Sequence, residues 1–172
     1  EILRQVEEQE KEKKLSGKIF RYSGLILAVD YFSQRLNPDQ IMFAVFDFIN
    51  ELLTLDSSSL YCLKDGSYHL VREKGRSIGV KAIRRSKKLN DLAVFHGGLL
   101  KDRNTMLRYF DEEIFANCDI EIIVPVTADD RLEGFLLIPG RISGPFDEDD
   151  LIICEVLMNL CNSAMRNYNS YS

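Results

Sequence analysis

Long apolar runs are missing from this chain of 172 residues. The longest, such as residues 41–46, fall far short of the roughly 20 that a membrane-spanning helix needs. The N-terminus is charged, and no signal peptide is expected. Positive charge is in deficit as well: the formal net charge is -5, whereas a dedicated nucleic-acid binder carries a basic footprint. Among the four cysteines, Cys62, Cys118, Cys154 and Cys161, there is no CxxC pair and no regular framework. No disulfide scaffold is implied, and reduced thiols in a cytoplasmic protein are expected. Cys154 and Cys161 lie two helical turns apart, about 10 Å along a helix, too far for a mutual bridge. The chain opens at Glu1 without a Met, so it is expected to be a piece of something longer.

The residues that are present supply material for one core. A hydrophobic content of 45% over this length suffices for a single domain with an extension at one end. Residues 122–126 and 132–138 are rich in Val, Ile, Leu and Phe and flank a polar turn, Ala128-Asp129-Asp130-Arg131, so they read as an antiparallel hairpin. With Asp129 and Asp130 as the loop, Val124 is expected opposite Phe135, giving one face of Ile122, Val124, Phe135 and Leu137. The other face then carries Ile123, Pro125, Gly134, Leu136 and Ile138. Both faces are apolar, so helices are expected on both sides of the sheet. A second hairpin turns at Asp65-Gly66, with Lys64 opposite Ser67; Tyr61, Leu63, Tyr68 and Leu70 share one face, and Leu60, Cys62, His69 and Val71 the other.

The helices carry their own punctuation. Asp147 reads as the N-cap of a closing helix, with Asp150 at N3 and Phe146 and Leu151 as a hydrophobic staple. Glu148, Asp149 and Asp150 suit the positive end of the helix dipole, so this acidic run is read as a helix start in preference to a metal site. Asn37 caps a second helix that runs to about Leu53, with Pro38 in the first position. Residues 90–96, closed by Gly97, read as a short helix, residues 98–101 as a short strand and residues 104–117 as another helix. Ahead of them Leu15, Ile19, Tyr22, Ile26 and Val29 step by four and three, the seam spacing of a coiled coil. Only about two heptads keep the seam. A helix lying on its own domain and a parallel dimer helix that brings a signal in are both compatible with it, and Gly24, Leu25, Leu27, Tyr31 and Phe32 suggest that its second half also packs inward.

Several of these segments, taken together, resemble the GAF domain. They are LNDLAVFHGGLLKDR at residues 89–103, Val124-Pro125-Val126, Leu132-Glu133-Gly134-Phe135-Leu136, the Gly144-Pro145-Phe146 break and the helix from Asp147. The resemblance implies an α+β fold of the PAS/profilin-like type, an antiparallel sheet with helices on both faces, preceded by a long N-terminal helix. It further implies terminal helices on one face, usually the dimer side, and a small-molecule pocket under the middle helices on the other. The division expected is a signalling helix at residues 1–36, a GAF domain at residues 37–168, and a tail at residues 169–172 leading to an output domain outside this chain.

The pocket chemistry is narrowed by what fails to match. The Asn-Lys-Phe-Asp-Glu signature of cyclic-nucleotide GAF domains is absent. Cys118 is followed by Asp119, whereas bilin-binding relatives commonly place His after the attachment cysteine. His96 stands in the last turn of a helix, where the dipole already accounts for it without a haem. Cys62 and His69 are cross-strand neighbours, but two ligands are too few for structural zinc. Free-methionine sulfoxide reductases use this fold with a set of pocket cysteines; their spacing is not found here, and no enzyme is expected. The basic run from Arg72 to Lys88 reads as a solvated loop, or as a lid over the pocket mouth that draws in an anion.

The candidate ligand pocket is therefore Tyr61, His69, Phe95, His96, Tyr109, Phe115, Cys118 and Phe135, with no metal and no cofactor beyond an unidentified small molecule. The candidate dimer helices carry Ile19, Tyr22, Ile26 and Val29 on the first and Ile153, Val156, Leu160 and Ala164 on the last. The function expected is a regulatory sensor module of a bacterial signalling protein, forming a homodimer and controlling a covalently linked output domain, with no nucleic-acid partner and no membrane insertion. The alternative is a ligand-free module used for dimerisation or protein interaction. A void in the pocket favours the first, and a pocket packed solid with aromatic side chains favours the second.

Overall fold

The first 17 residues include a nearly unbroken charged stretch, yet they run helically into the apolar segment beyond them, giving one helix, α1 (Ile2–Phe32). The computed structural model describes residues 1–95 and 98–171. After α1 come α2 (Pro38–Leu52), β1 (Ser58–Lys64), β2 (Ser67–Lys74), β3 (Ala82–Arg84), α3 (Lys87–Phe95), α4 (Arg103–Met106), a 3-10 turn (Glu112–Phe115), β4 (Ile120–Ala128), β5 (Arg131–Pro139) and α5 (Glu148–Tyr171). The helix starts are chemically defined. Asn37 Oδ1 accepts from Gln40 N at 2.8 Å and Gln40 Oε1 accepts from Asn37 N at 2.9 Å, a complete capping box around Pro38. Asp147 and Asp150 do the same for α5, each carboxylate accepting from the other's backbone N–H at 2.8 and 3.0 Å.

The strands form a five-stranded antiparallel sheet in the order β3-β2-β1-β5-β4. Both hairpins turn through two residues of positive φ, Asp65 and Gly66 in one, Asp129 and Asp130 in the other. That geometry matches the twist of the strands. The β1–β2 register is the one anticipated from Asp65-Gly66, from Lys64↔Ser67 to Tyr61↔Leu70, and then slips so that Leu60 faces Arg72.

The β4–β5 register departs from expectation. Thr127 pairs with Leu132, but Val126 pairs with Gly134 and Val124 with Leu136, because a bulge leaves Glu133 as an extra residue. One inserted residue moves every later side chain to the opposite face. The faces are therefore Ile122, Val124, Val126, Leu136 and Ile138 on one side, and Ile123, Phe135 and Leu137 on the other. Asn162 of α5 accepts from Thr127 N at 2.9 Å, satisfying a backbone donor beside the bulge. Gly134 permits the close pairing: a Cβ there would stand 2.4 Å from the Tyr61 carbonyl oxygen.

Both faces of the sheet are covered, as their apolar character requires. One core lies between the sheet and α1, α2 and α5, and includes Ile41, Val45, Ile49, Leu60, Val124, Leu136, Leu157 and Cys161. The other lies under α3, α4 and the 3-10 turn, with Tyr61, Tyr68, Leu92, Met106, Phe110, Ile114 and Phe135. Each fully buried side chain of this size contributes about 1.5–3 kcal/mol.

Three middle elements differ from expectation. The basic run contains β3, a three-residue edge strand paired with β2. The short strand at residues 98–101 is reduced to one bridge, Leu100↔Ile123. The helix at residues 104–117 is divided in two, because Asp102 starts a single turn by accepting from Thr105 N at 2.9 Å and the chain then re-enters a 3-10 turn after Asp111.

Candidate functional site

The face under the middle helices is where a ligand was anticipated, and aromatic side chains fill it. Tyr61 stacks on Phe135 with ring centroids 5.2 Å apart; Tyr68 lies 5.2 Å and Phe110 5.0 Å from the same ring, the latter edge-on. The two hydroxyls are spent internally, Tyr61 donating to the Val80 carbonyl and Tyr68 to the Leu132 carbonyl at 2.8 Å. Burial pushes the Tyr68 phenol up to about 12 and the Tyr61 phenol higher still.

At the border of this block is a cavity of about 260 Å³, with Ile83, Arg84, Lys88, Tyr109, Phe110 and Glu113 among its walls. Of the pocket residues named from sequence, Tyr61 and Phe135 are in contact in the aromatic block, and Tyr109 borders the cavity. Phe115 and Cys118 are buried in the same core. The Arg103 guanidinium lies 4.5 Å from the Phe115 ring. Cys118 Sγ donates to the Ser77 carbonyl at 3.4 Å, and burial raises its thiol pKa. His69 is elsewhere: it is exposed, its Nε2 3.2 Å from the Lys64 carbonyl, and it pairs with Cys62, which packs against the opposite core. The Phe95 side chain and His96 lie outside the described residues.

Tyr68 and Phe110, half of the aromatic block, were absent from the pocket expected on sequence grounds. The Asp65-Gly66 register had already put Tyr68 beside Tyr61; Phe110 depended on the path of the broken middle segment. The basic run proves mixed. Arg72 lies over the Phe43 ring at 4.0 Å, Arg76 pairs with Asp56 at 3.7 Å, Lys88 pairs with Asp111 at 3.2 Å, and Arg85 donates to Asn90 at 3.1 Å. Among the described residues, the part of the run that borders the cavity is its end, from Ile83 to Lys88.

The other face is organised around α1 and α5. Toward the sheet α1 buries Gly24, Ala28 and Phe32; a Cβ on Gly24 would stand 2.1 Å from Leu52 Cδ2, so the glycine sets how closely the helix approaches α2. Away from the sheet it exposes Leu15, Ile19, Phe20, Tyr22, Ile26, Leu27 and Val29. On α5, Ile153 and Ala164 face inward and are buried, Val156 and Leu160 are half-buried, and the neighbouring Ile152 is 50% exposed. The starts of α1's apolar half and of α5 are joined by charge. Asp150, whose side chain is 2% exposed, receives Arg21 at 3.0 Å and Arg141 at 2.8 Å. Capping of the Asp150 N–H holds the Asp147 carboxyl below its ordinary range. At the far end a cavity of about 700 Å³ opens where α1, α2 and α5 meet, bordered by Phe32, Arg35, Asn37, Gln40, Asn167 and Tyr168.

Among the described residues no group of three or more His, Cys, Asp or Glu is placed to hold a metal ion. Cys154 and Cys161 are fully buried, and burial raises both thiols strongly. No described helix is long and apolar enough to cross a membrane.

Comparison with known proteins bears on the fold. A family model described as GAF domain matches residues 37–167. Curated proteins give no match. Among solved structures, the GAF domain of a phosphoenolpyruvate-protein phosphotransferase from Coxiella burnetii is 19% identical, with 88% of this chain and 95% of that one covered and a TM-score of 0.59. The GAF domain of a sensor histidine kinase from Pseudomonas syringae pv. tomato is 12% identical, with coverages of 94% and 95% and a TM-score of 0.58. Free methionine-R-sulfoxide reductase from Neisseria meningitidis, solved with its substrate, is 14% identical, with coverages of 88% and 92% and a TM-score of 0.58.

Proposed function

Starting from the fact that this chain belongs to the GAF domain family, we propose that it is the regulatory module of a multidomain signalling protein, acting by self-association through α1 and the outer side of α5. The apolar stripe of α1 carries this reading: Ile19 is 58% and Ile26 67% exposed, at the seam spacing of a coiled coil and on a helix attached to the domain by its other face. Similar folds occur in a sensor histidine kinase and a methyl-accepting chemotaxis protein, which favours a linked output domain, and the absence of a spanning helix among the described residues is compatible with a cytoplasmic setting. On α5 the residues offered to a partner are Ile152 and the half-buried Val156 and Leu160, with Ile153 and Ala164 committed to the core.

A second reading has its own support. The 260 Å³ cavity sets Tyr109 and Phe110 beside Arg84, Arg85 and Lys88 and also beside Asp111 and Glu113, a wall of mixed charge suited to a small polar ligand with an apolar body. Tyr61, Tyr68, Phe110 and Phe135 pack against one another under the middle helices beside this cavity, so the self-association reading ranks first.

Catalysis of the sulfoxide-reductase type needs one thiol to attack sulfur and a second to resolve the product. Cys62 packs against the core under α5 and Cys118 belongs to the core on the other side of the sheet. The separation favours a non-catalytic module.

The test is sedimentation equilibrium of the wild type and of Ile19→Glu/Ile26→Glu at up to about 100 μM. A dimer that becomes a monomer in the double variant, with its circular dichroism unchanged, is the expected result. A wild type that stays monomeric throughout this range overturns the proposal.

A further inference from the structure

We infer that Arg21 and Asp150 form a releasable latch through which the position of α1 is transmitted to the first turn of α5. The inference rests on the regulatory reading for its purpose, but its geometry lies within one chain.

Asp150 is shared by two guanidinium groups that are fastened very differently. Arg141 also donates to the carbonyls of Leu53 at 2.6 Å, Gly144 at 3.2 Å and Pro145 at 3.0 Å, and its guanidinium carbon lies 4.6 Å from the centre of the Phe146 ring. It is stitched to the end of α2 and to the loop before α5. Among the described residues Arg21 pairs with the start of α5, with Asp150 at 3.0 Å and Asp147 and Asp149 each at 3.8 Å. Lys18, one turn earlier, reaches Asp149 at 4.0 Å.

This asymmetry decides what each loss does. A buried carboxylate stripped of every partner is strongly destabilising. If α1 lifts away, Asp150 keeps Arg141 and the Asp147 N–H at 3.0 Å, so this buried carboxylate is not left without a partner. Loss of Arg141 instead leaves three carbonyls and half of the Asp150 pairing unmet.

The rest of α1 is arranged for such a motion. Its first 16 residues are exposed, and its buried contacts, Gly24, Ala28 and Phe32, lie in the second half. The latch is therefore at the outer edge of the docked part, with the helix end at Ser33 as the pivot. Release also changes α5. With Arg21 gone, Asp147, Asp149 and Asp150 crowd one helical turn with a single guanidinium between them, and the turn loosens by like-charge repulsion.

Hydrogen exchange read by mass spectrometry on Arg21→Met, Arg21→Lys and Arg141→Met tests this. In Arg21→Met, residues 18–28 and the first turn of α5 should exchange about tenfold faster, with β4 and β5 unchanged. Its Tm should move by less than about 2 °C. Arg21→Lys should fall between Arg21→Met and the wild type, and Arg141→Met should accelerate exchange throughout the domain. Unchanged protection of α1 in Arg21→Met, or a global loss equal to that of Arg141→Met, refutes the latch. Sedimentation of the same samples separates the two proposals: a monomeric wild type removes the self-association reading, while the exchange pattern still decides the latch.

Discussion

Asp147 shows how much a single carboxylate can organise. Its Oδ1 accepts from the Asp150 N–H at 2.8 Å, and this bond, ahead of the nearby arginines, lowers its pKa. A carboxyl whose folded pKa lies below its unfolded value, about 3.9, adds stability above that value and loses it as pH falls through the folded pKa. Asp147→Ala should therefore cost about 1 kcal/mol at pH 7, as loss of a helix cap does. The difference from wild type should shrink as pH falls below about 4. Urea titrations of both proteins across this range measure it; a deficit that persists undiminished to the lowest pH at which both fold would assign the cost to something other than the ionised cap.

At the scale of elements, α1 divides into two halves with different physics. Its first 16 residues are exposed and bury no apolar side chain, so their helicity depends on propensity and on pairs such as Arg4–Glu8 at 3.6 Å. The second half is held by Gly24, Ala28, Phe32 and Arg21. Deleting residues 1–16 should leave the Tm of the domain within about 2 °C of wild type while removing helical signal in the far ultraviolet. A fall larger than that in calorimetry would mean that the charged half supports the fold. The middle elements make the complementary point. The cap at Asp102 starts a single helical turn, Arg103–Met106; Met106, Phe110 and Ile114 keep the four-residue spacing of a helical stripe and all reach the core, yet the chain returns after Asp111 as a 3-10 turn, so spacing alone does not predict a continuous helix here.

For the molecule as a whole, the sheet joins two cores into one unit. Phe135 lies in the core under the middle helices, and its neighbour Leu136 lies in the core under α5. Phe135→Ala should cost about 3–5 kcal/mol. It should shift a single transition, seen together by tyrosine fluorescence and far-ultraviolet circular dichroism, because the strands cannot part on one face alone. Two separated transitions would show that the layers unfold independently.

Much of this architecture was legible locally. The caps at Asn37 and Asp147, the turns at Asp65-Gly66 and Asp129-Asp130, and the doubly apolar strands are effects of neighbours in the chain, and they determined the helix starts, the hairpins, the two-sided sheet and the family. Tertiary structure decided what neighbours cannot. The bulge at Glu133 reversed the faces of most of the last hairpin, because Gly134 had to pass close to Tyr61 and Thr127 had a partner in Asn162. Side chains distant in sequence, Tyr61, Tyr68, Phe110 and Phe135, closed over the space a ligand pocket was expected to occupy. Arg21 and Asp150, 129 positions apart, met across two helices. Spacing along a chain specifies which side chains can share a face; which faces meet, and whether a void is left between them, depends on packing in three dimensions.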